Sequence, residues 1–157
     1  MKRKTLVKIH VAATIIATLT IATFFISSLT AEINGDVILI RKVKEAIFYS
    51  LPVLLVVMPA LGITGNKLAC KSKSPLILAK QRRMKFAFVN GVMLISLACF
   101  LYYRSHYQTI DITFFGFQFA EFALGLTNLT LIGLNIKSGL KLSGKLKEKQ
   151  VVAKISE

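Results

Sequence analysis

The chain has no tryptophan, and its 157 residues include only three prolines, two histidines, two cysteines and seven acids. Each shortage removes a class of protein. Cys70 falls in a basic stretch and Cys99 in an apolar run, so no disulfide framework is expected. No CxxC, CxxCH or Cys/His zinc spacing is present, which excludes covalent c-type haem and leaves no structural zinc site to expect. There is no repeated Glu and His set of the kind that builds a di-iron carboxylate bundle. No catalytic motif is present, so enzymatic activity is left open. Seven acids against 21 Lys and Arg give a net charge of +14. The basic residues flank apolar runs instead of forming one patch interleaved with aromatic stacking platforms. Nucleic acid is therefore not an expected partner, and anionic lipid headgroups are.

What is present is apolar. Hydrophobic residues make up 54% of the chain and the mean hydropathy is +0.63, against roughly 45–50% apolar in soluble domains. They gather into four runs, at residues 6–29, 46–63, 84–103 and 110–136. Each is near the ~20 residues that cross ~30 Å of hydrocarbon. The first run, led by Lys2-Arg3-Lys4, has the look of a secretory signal, and Leu29-Thr30-Ala31 loosely matches a cleavage site. Its 24 residues exceed the roughly 7–15 of a signal core, so it is expected to stay as a membrane span.

Thr30–Glu45 reads as the first loop, with a turn at Asn34-Gly35-Asp36 and an interfacial apolar patch at residues 37–40. Pro52 and Pro59 lie inside the second run, where membrane helices tolerate them at the expense of one or two kinks. Lys67–Lys85 forms a second loop with no acid, in which Leu76–Lys80 reads as a short interfacial helix. The third loop, Arg104–Thr109, is short enough to make the last two helices antiparallel neighbours. Seventeen of the 21 basic residues lie in the N-terminus, the second loop and the tail. By the positive-inside rule these three face the cytoplasm. The expected fold is all-α: a four-transmembrane-helix up-down-up-down bundle over residues 1–136, with a basic cytoplasmic tail at 137–157, in a bacterial inner membrane.

Small residues should mark the helix contacts, because lipid supplies no hydrophobic drive for helices to associate. The first run carries Ala13-xxx-Ala17 and Thr14-xxx-Thr18-xxx-Ala22. The fourth carries Gly116-xxx-Ala120, Gly125 and Gly133. These faces serve packing within the chain or a homodimer. Polar residues at membrane depth are candidate sites. Glu121, Gly125, Asn128 and Asn135 share one face of the fourth helix by i, i+4, i+7 spacing. Tyr49, Arg41 and Arg104 are the expected partners of Glu121, whose role is either structural or that of a proton or cation relay.

His10 sits just inside the cytoplasmic interface and His106 in the outer loop. From His10 to Leu29 is 19 residues, or ~29 Å of helix, so the two cannot ligate one metal within a subunit. His10 alone is a candidate metal ligand, as the axial ligand of a b-type haem whose sixth position is empty or filled from a second subunit. Phe86 and Phe88 would line the slot, and Lys8, Arg82, Arg83 and Lys85 would meet the propionates. Asn90 completes the candidate cofactor-binding set at that end. Tyr102, Tyr103 and Tyr107 around His106 read as interfacial anchors, or with Arg104 as a quinone pocket.

Three stretches carry a resemblance: Lys8-Ile9-His10; Arg82-Arg83-Met84-Lys85-Phe86 with Asn90-Gly91; and Asn128-Leu129-Thr130-Leu131-Ile132-Gly133-Leu134-Asn135-Ile136-Lys137 with Gly139-Leu140. They resemble a family of small bacterial four-helix inner-membrane proteins, across most of the chain except the tail. That likeness implies the fold and no particular activity. A weaker likeness is to small membrane b-type cytochromes, from which the chain departs by lacking a second histidine at the depth of His10. Three functional expectations result. The first is a small membrane haem b protein that transfers electrons, with quinone as a candidate partner and a homodimer as a candidate state. The alternative is a membrane scaffold or accessory subunit without cofactor. The third is a proton or small-solute carrier using Glu121.

Overall fold

In the computed structural model, which describes residues 2–69 and 74–144, the chain forms four helices. They are α1 (Arg3–Asn34), α2 (Val37–Ala69), α3 (Pro75–Tyr107) and α4 (Ile112–Leu142). They contain 32, 33, 33 and 31 residues. At ~1.5 Å per residue that is roughly 46–50 Å, well beyond a ~30 Å hydrocarbon core. Each contains a stretch that is long and apolar enough to cross a membrane, and by length and composition the chain is a multi-pass membrane protein. The outward surface agrees. Ile15, Leu19, Ile26, Leu55, Val56, Val89, Phe119 and Leu126 are all exposed, a belt that water would not tolerate.

The helices are longer than the apolar runs because their ends absorb the charged residues. Thr30–Glu45 is not a loop. α1 closes on Gly35, whose φ of +67° suits glycine and whose N–H donates to the Ala31 and Glu32 carbonyls at 3.2 Å. Asp36 Oδ1 then accepts the Ile38 N–H at 2.9 Å and starts α2. The patch at residues 37–40 is therefore the first turn of α2. Arg41, Lys42 and Glu45 follow on its exposed side, while Lys44 points inward. Pro75 occupies the first turn of α3, where its missing N–H is harmless, and residues 76–80 continue that helix. Cys70 and the tail beyond residue 144 lie outside the described residues. α2 runs unbroken through Pro52 and Pro59, both on its exposed side.

Each helix packs on the next, and α1 also packs on α4, which closes the ring. Ala31, Ile40, Leu101 and Phe114 form a core layer with Leu39, Val43 and Ile110. That layer places both short connections at one end of the bundle, here called the loop end. Below it lie Ile47, Leu51 and Ala98, then Ile21, Leu54 and Ile132, then Ala13, Ala17 and Val57 near the N-terminus of α1. The small residues of α1 thus make a contact as expected. Those of α4 divide. Gly125 meets the Phe25 ring, 3.4 Å from where a Cβ would sit, but Gly116 and Gly133 have nothing within 4 Å of theirs. Both stand on the exposed surface, so they mark no helix contact within this chain.

At the loop end, Asp111 caps α4. Its Oδ1 accepts the Phe114 N–H at 3.0 Å and an Arg104 Nη2 hydrogen at 2.6 Å. The Phe114 backbone bond, and secondarily Arg104, hold the Asp111 carboxyl below its ordinary range. A depressed carboxyl stabilises the fold above its unfolded value of about 3.9, and that contribution disappears as pH falls through the lower folded value. Asp111→Ala should therefore be less stable than the wild type at neutral and alkaline pH, and the two should converge as pH falls through the folded value of Asp111, which equilibrium unfolding of the detergent-solubilised protein at a series of pH values measures.

Candidate functional site

Along α2, Ile40, Lys44, Ile47, Leu51 and Leu54 repeat at intervals of three and four. They form one stripe, and all are buried. Lys44 is the only charge on that stripe and is 1% exposed. Lying seven residues after Val37, it is ~10 Å down the helix. Its Nζ crosses the bundle to α4 and donates to Glu121 Oε2 at 2.6 Å. It also donates to Ser28 Oγ of α1 at 3.2 Å. Gln118 Nε2, one turn before Glu121, donates to the same Oε2 at 2.9 Å. One ammonium thus ties three helices together. Arg41, Tyr49 and Arg104 are not the partners of Glu121: Arg41 and Tyr49 face outward, and Arg104 is engaged by Asp111.

A second carboxylate stands beside this pair. Glu32, one turn beyond Ser28, interacts electrostatically with both Lys44 and Glu121. Both of its oxygens are buried without a hydrogen-bond partner, as is Gln118 Oε1. Buried polar atoms are nearly always paired, and an uncompensated one costs about 1–3 kcal/mol. The centre therefore has acceptors in excess of its donors. On its inner side lies a cavity of about 40 Å³, bounded by Glu121 and Ser28 towards the loop end and by Ile21, Leu54, Ile95 and Gly125 elsewhere. That volume accommodates at least one water.

The polar face of α4 continues past the cavity. Asn128 is fully buried, with neither amide atom partnered, and its Nδ2 approaches the open side of Gly91 on α3. Asn90 is buried as well and donates to the Leu124 carbonyl at 2.7 Å. Further along, Asn135 Oδ1 is unpartnered, and Arg83 Nη1 donates to Ser138 Oγ at 3.1 Å.

The cofactor-binding candidates near His10 are dispersed. His10 Nδ1 lies 2.9 Å from Thr64 Oγ1. The Thr64 hydroxyl donates to the Ala60 carbonyl at 2.6 Å, so its oxygen is placed to accept from His10 Nδ1. Met84 fills the space a Cβ at Gly65 would need, with His10 Cε1 alongside. Arg82, Lys85, Phe86 and Phe88 are exposed on the outside of α3, so they do not close around His10. Arg83 reaches α4, and Asn90 is committed to Leu124. Among the described residues, no three His, Cys, Asp or Glu side chains are grouped to hold a metal ion. At the loop end, His106 stacks on Tyr102 at 4.4 Å and Tyr102 on Phe48 at 4.2 Å, while Tyr103 and Tyr107 face outward.

No family model, curated protein or solved structure matches the chain. Its class rests on its own fold and site: a four-helix membrane bundle around a buried lysine and two carboxylates. Sequence reasoning located Glu121 and missed Lys44, Ser28 and Glu32. The available signal was the stripe itself, because Lys44 falls in register with Ile40, Ile47 and Leu51.

Proposed function

We propose that the chain is a membrane proton-binding protein whose working centre is Lys44, Glu121 and Glu32. The observation that carries this reading is the unpartnered Glu32 carboxyl next to a closed ion pair. Lys44 offsets the charge of one carboxylate only. A second buried carboxylate without donors is strongly disfavoured as an anion in low dielectric. The centre reaches neutrality by holding one proton on Glu32 beside the Lys44–Glu121 pair, and it exchanges that proton when its surroundings change. Ion pairs buried in membranes typically mark such sites.

The charge distribution supports an up-down-up-down arrangement with both termini and the α2–α3 connection in the cytoplasm of a bacterial inner membrane. With Lys44 buried in the bundle, the loop end presents Arg41, Lys42 and Arg104, while eleven basic residues among those described lie towards the other. Anionic lipid headgroups are the natural partners of those eleven.

Infrared difference spectra between acid and alkaline conditions test the reading directly. The wild type should show one reversible carboxylic-acid signal, lost or shifted in Glu121→Gln and in Glu32→Gln. Spectra unchanged in both variants would sink the proposal.

One observation favours a second reading, in which His10 is the axial ligand of a b-type haem in an electron-transfer protein, with quinone as partner. The Thr64 contact leaves His10 Nε2 free to bind iron, and a parallel homodimer would set two His10 residues at one depth. A Soret band abolished by His10→Ala, in protein produced with haem available, would support it, and a colourless preparation would refute it.

A further inference from the structure

The proton-binding centre sits near the loop end, but the polar groups do not stop there. Down the inner face of α4 run Gln118, Glu121, Gly125, Asn128, Asn135 and Ser138. Gln118, Asn128 and Asn135 each leave at least one side-chain atom buried and unpaired. An asparagine that is 0% exposed with both amide atoms unpaired is out of place in a helix core. It lies one turn past Gly125, whose missing side chain helps keep open the cavity that Glu121 borders. On the far side of Asn128, the Met58 methyl occupies the space a Cβ at Gly91 would need. That methyl belongs to an unbranched, adaptable side chain.

We infer that these features form a proton path through the bilayer: from the Lys44–Glu121–Glu32 centre, across water in the cavity, to water held by the Asn128 amide, and on past Asn135 to the Arg83–Ser138 end. The inference rests on the proton-binding reading and extends it from binding to conduction. Asn128 supplies a donor and an acceptor to water, which an amide does without itself changing protonation. Met58 is the movable plug. At each step one O–H bond forms as another breaks, and no group is oxidised or reduced. A proton entering from one side binds the carboxyls and leaves from the other. The groups facing the path are Glu32 and Ser28 from α1, Lys44 from α2, Arg83 from α3, and Gln118, Glu121, Asn128, Asn135 and Ser138 from α4. α3 turns only Leu94, Ile95 and Ala98 to the cavity.

The test is proton flux into liposomes containing the full chain and a trapped pH dye, driven by a potassium diffusion potential. The wild type should acidify the lumen above protein-free liposomes. Asn128→Leu should lower the flux at least tenfold while leaving the infrared carboxyl signal in place. Because Asn128 has no partner in the protein to lose, this variant is expected to fold, which circular dichroism in the same liposomes checks. Gly125→Leu, which fills the cavity, is an independent second block. Wild-type flux no greater than that of empty liposomes, or full flux in both variants, overturns the path. If the carboxyl signal persists in that case, the binding reading survives alone; if it is absent from the wild type, both fail.

Discussion

Lys44→Met should cost the bundle about 3–5 kcal/mol, the range for breaking one partner of a buried ion pair. Methionine matches the lysine stem in length and apolarity, so the packing against Ile40 and Ile47 stays. What it removes is the ammonium that donates to Glu121 at 2.6 Å and to Ser28 at 3.2 Å. Glu121 would keep its Gln118 donor, and Glu32 would lose the Lys44 cation that acts on it. Two uncompensated carboxyls in low dielectric dominate the loss. The double variant Lys44→Met/Glu121→Leu should recover most of it, because replacing a buried pair by apolar groups of like volume is often neutral or stabilising. Equilibrium unfolding in mixed detergent, followed by circular dichroism, measures both. A Lys44→Met protein as stable as the wild type would show that the pair contributes nothing to the fold.

Phe114→Ala is the second large effect. Phe114 is 0% exposed and packs with Ala31, Ile40 and Leu101 in the layer that joins all four helices at the loop end. In a soluble core this truncation costs about 3–5 kcal/mol. Here the transfer part shrinks, since the unfolded helices still lie in an apolar medium, and the cavity part remains. The expected loss is therefore at the low end, about 3 kcal/mol. Phe119→Ala, at a position 75% exposed on the same helix, is the matched control and should stay within about ±0.5 kcal/mol. Equal destabilisation by the two would mean that Phe114 is not a packing residue.

The four apolar runs, the Gly35 turn and the shared face of Glu121, Gly125 and Asn128 were legible in the sequence because each depends on local pattern. Four hydrophobic stretches become four helices wherever backbone groups must be satisfied internally. The first loop was misread for a physical reason. Arg41, Lys42, Lys44 and Glu45 look like solvent-exposed loop residues, yet a helix starting at Val37 puts three of them outside and one inside. Membership in the 40-44-47-51 stripe was visible, but the carboxylate that makes the position tolerable lies 77 residues away on a helix that only tertiary packing brings near. Ser28 and Glu32 depend on the same long-range closure. His10 is the opposite case. Its chemistry drew attention in the sequence, and its neighbours proved to be Thr64 and Met84, not the exposed Phe86 and Phe88.

The crossing of the bundle by Lys44 also has a consequence for how the chain is made. The ribosome delivers α2 long before Glu121 exists. At roughly 5–20 residues per second, 77 residues take about 4–15 s. Through that interval the α1–α2 hairpin must hold its lysine where water can reach it, with the long stem stretched towards the headgroups. Only when α4 arrives can the ammonium be drawn below the surface. The last helix inserted is then the one that lets the first two settle to their final depth, and a chain truncated before α4 should leave a shallow, protease-accessible hairpin.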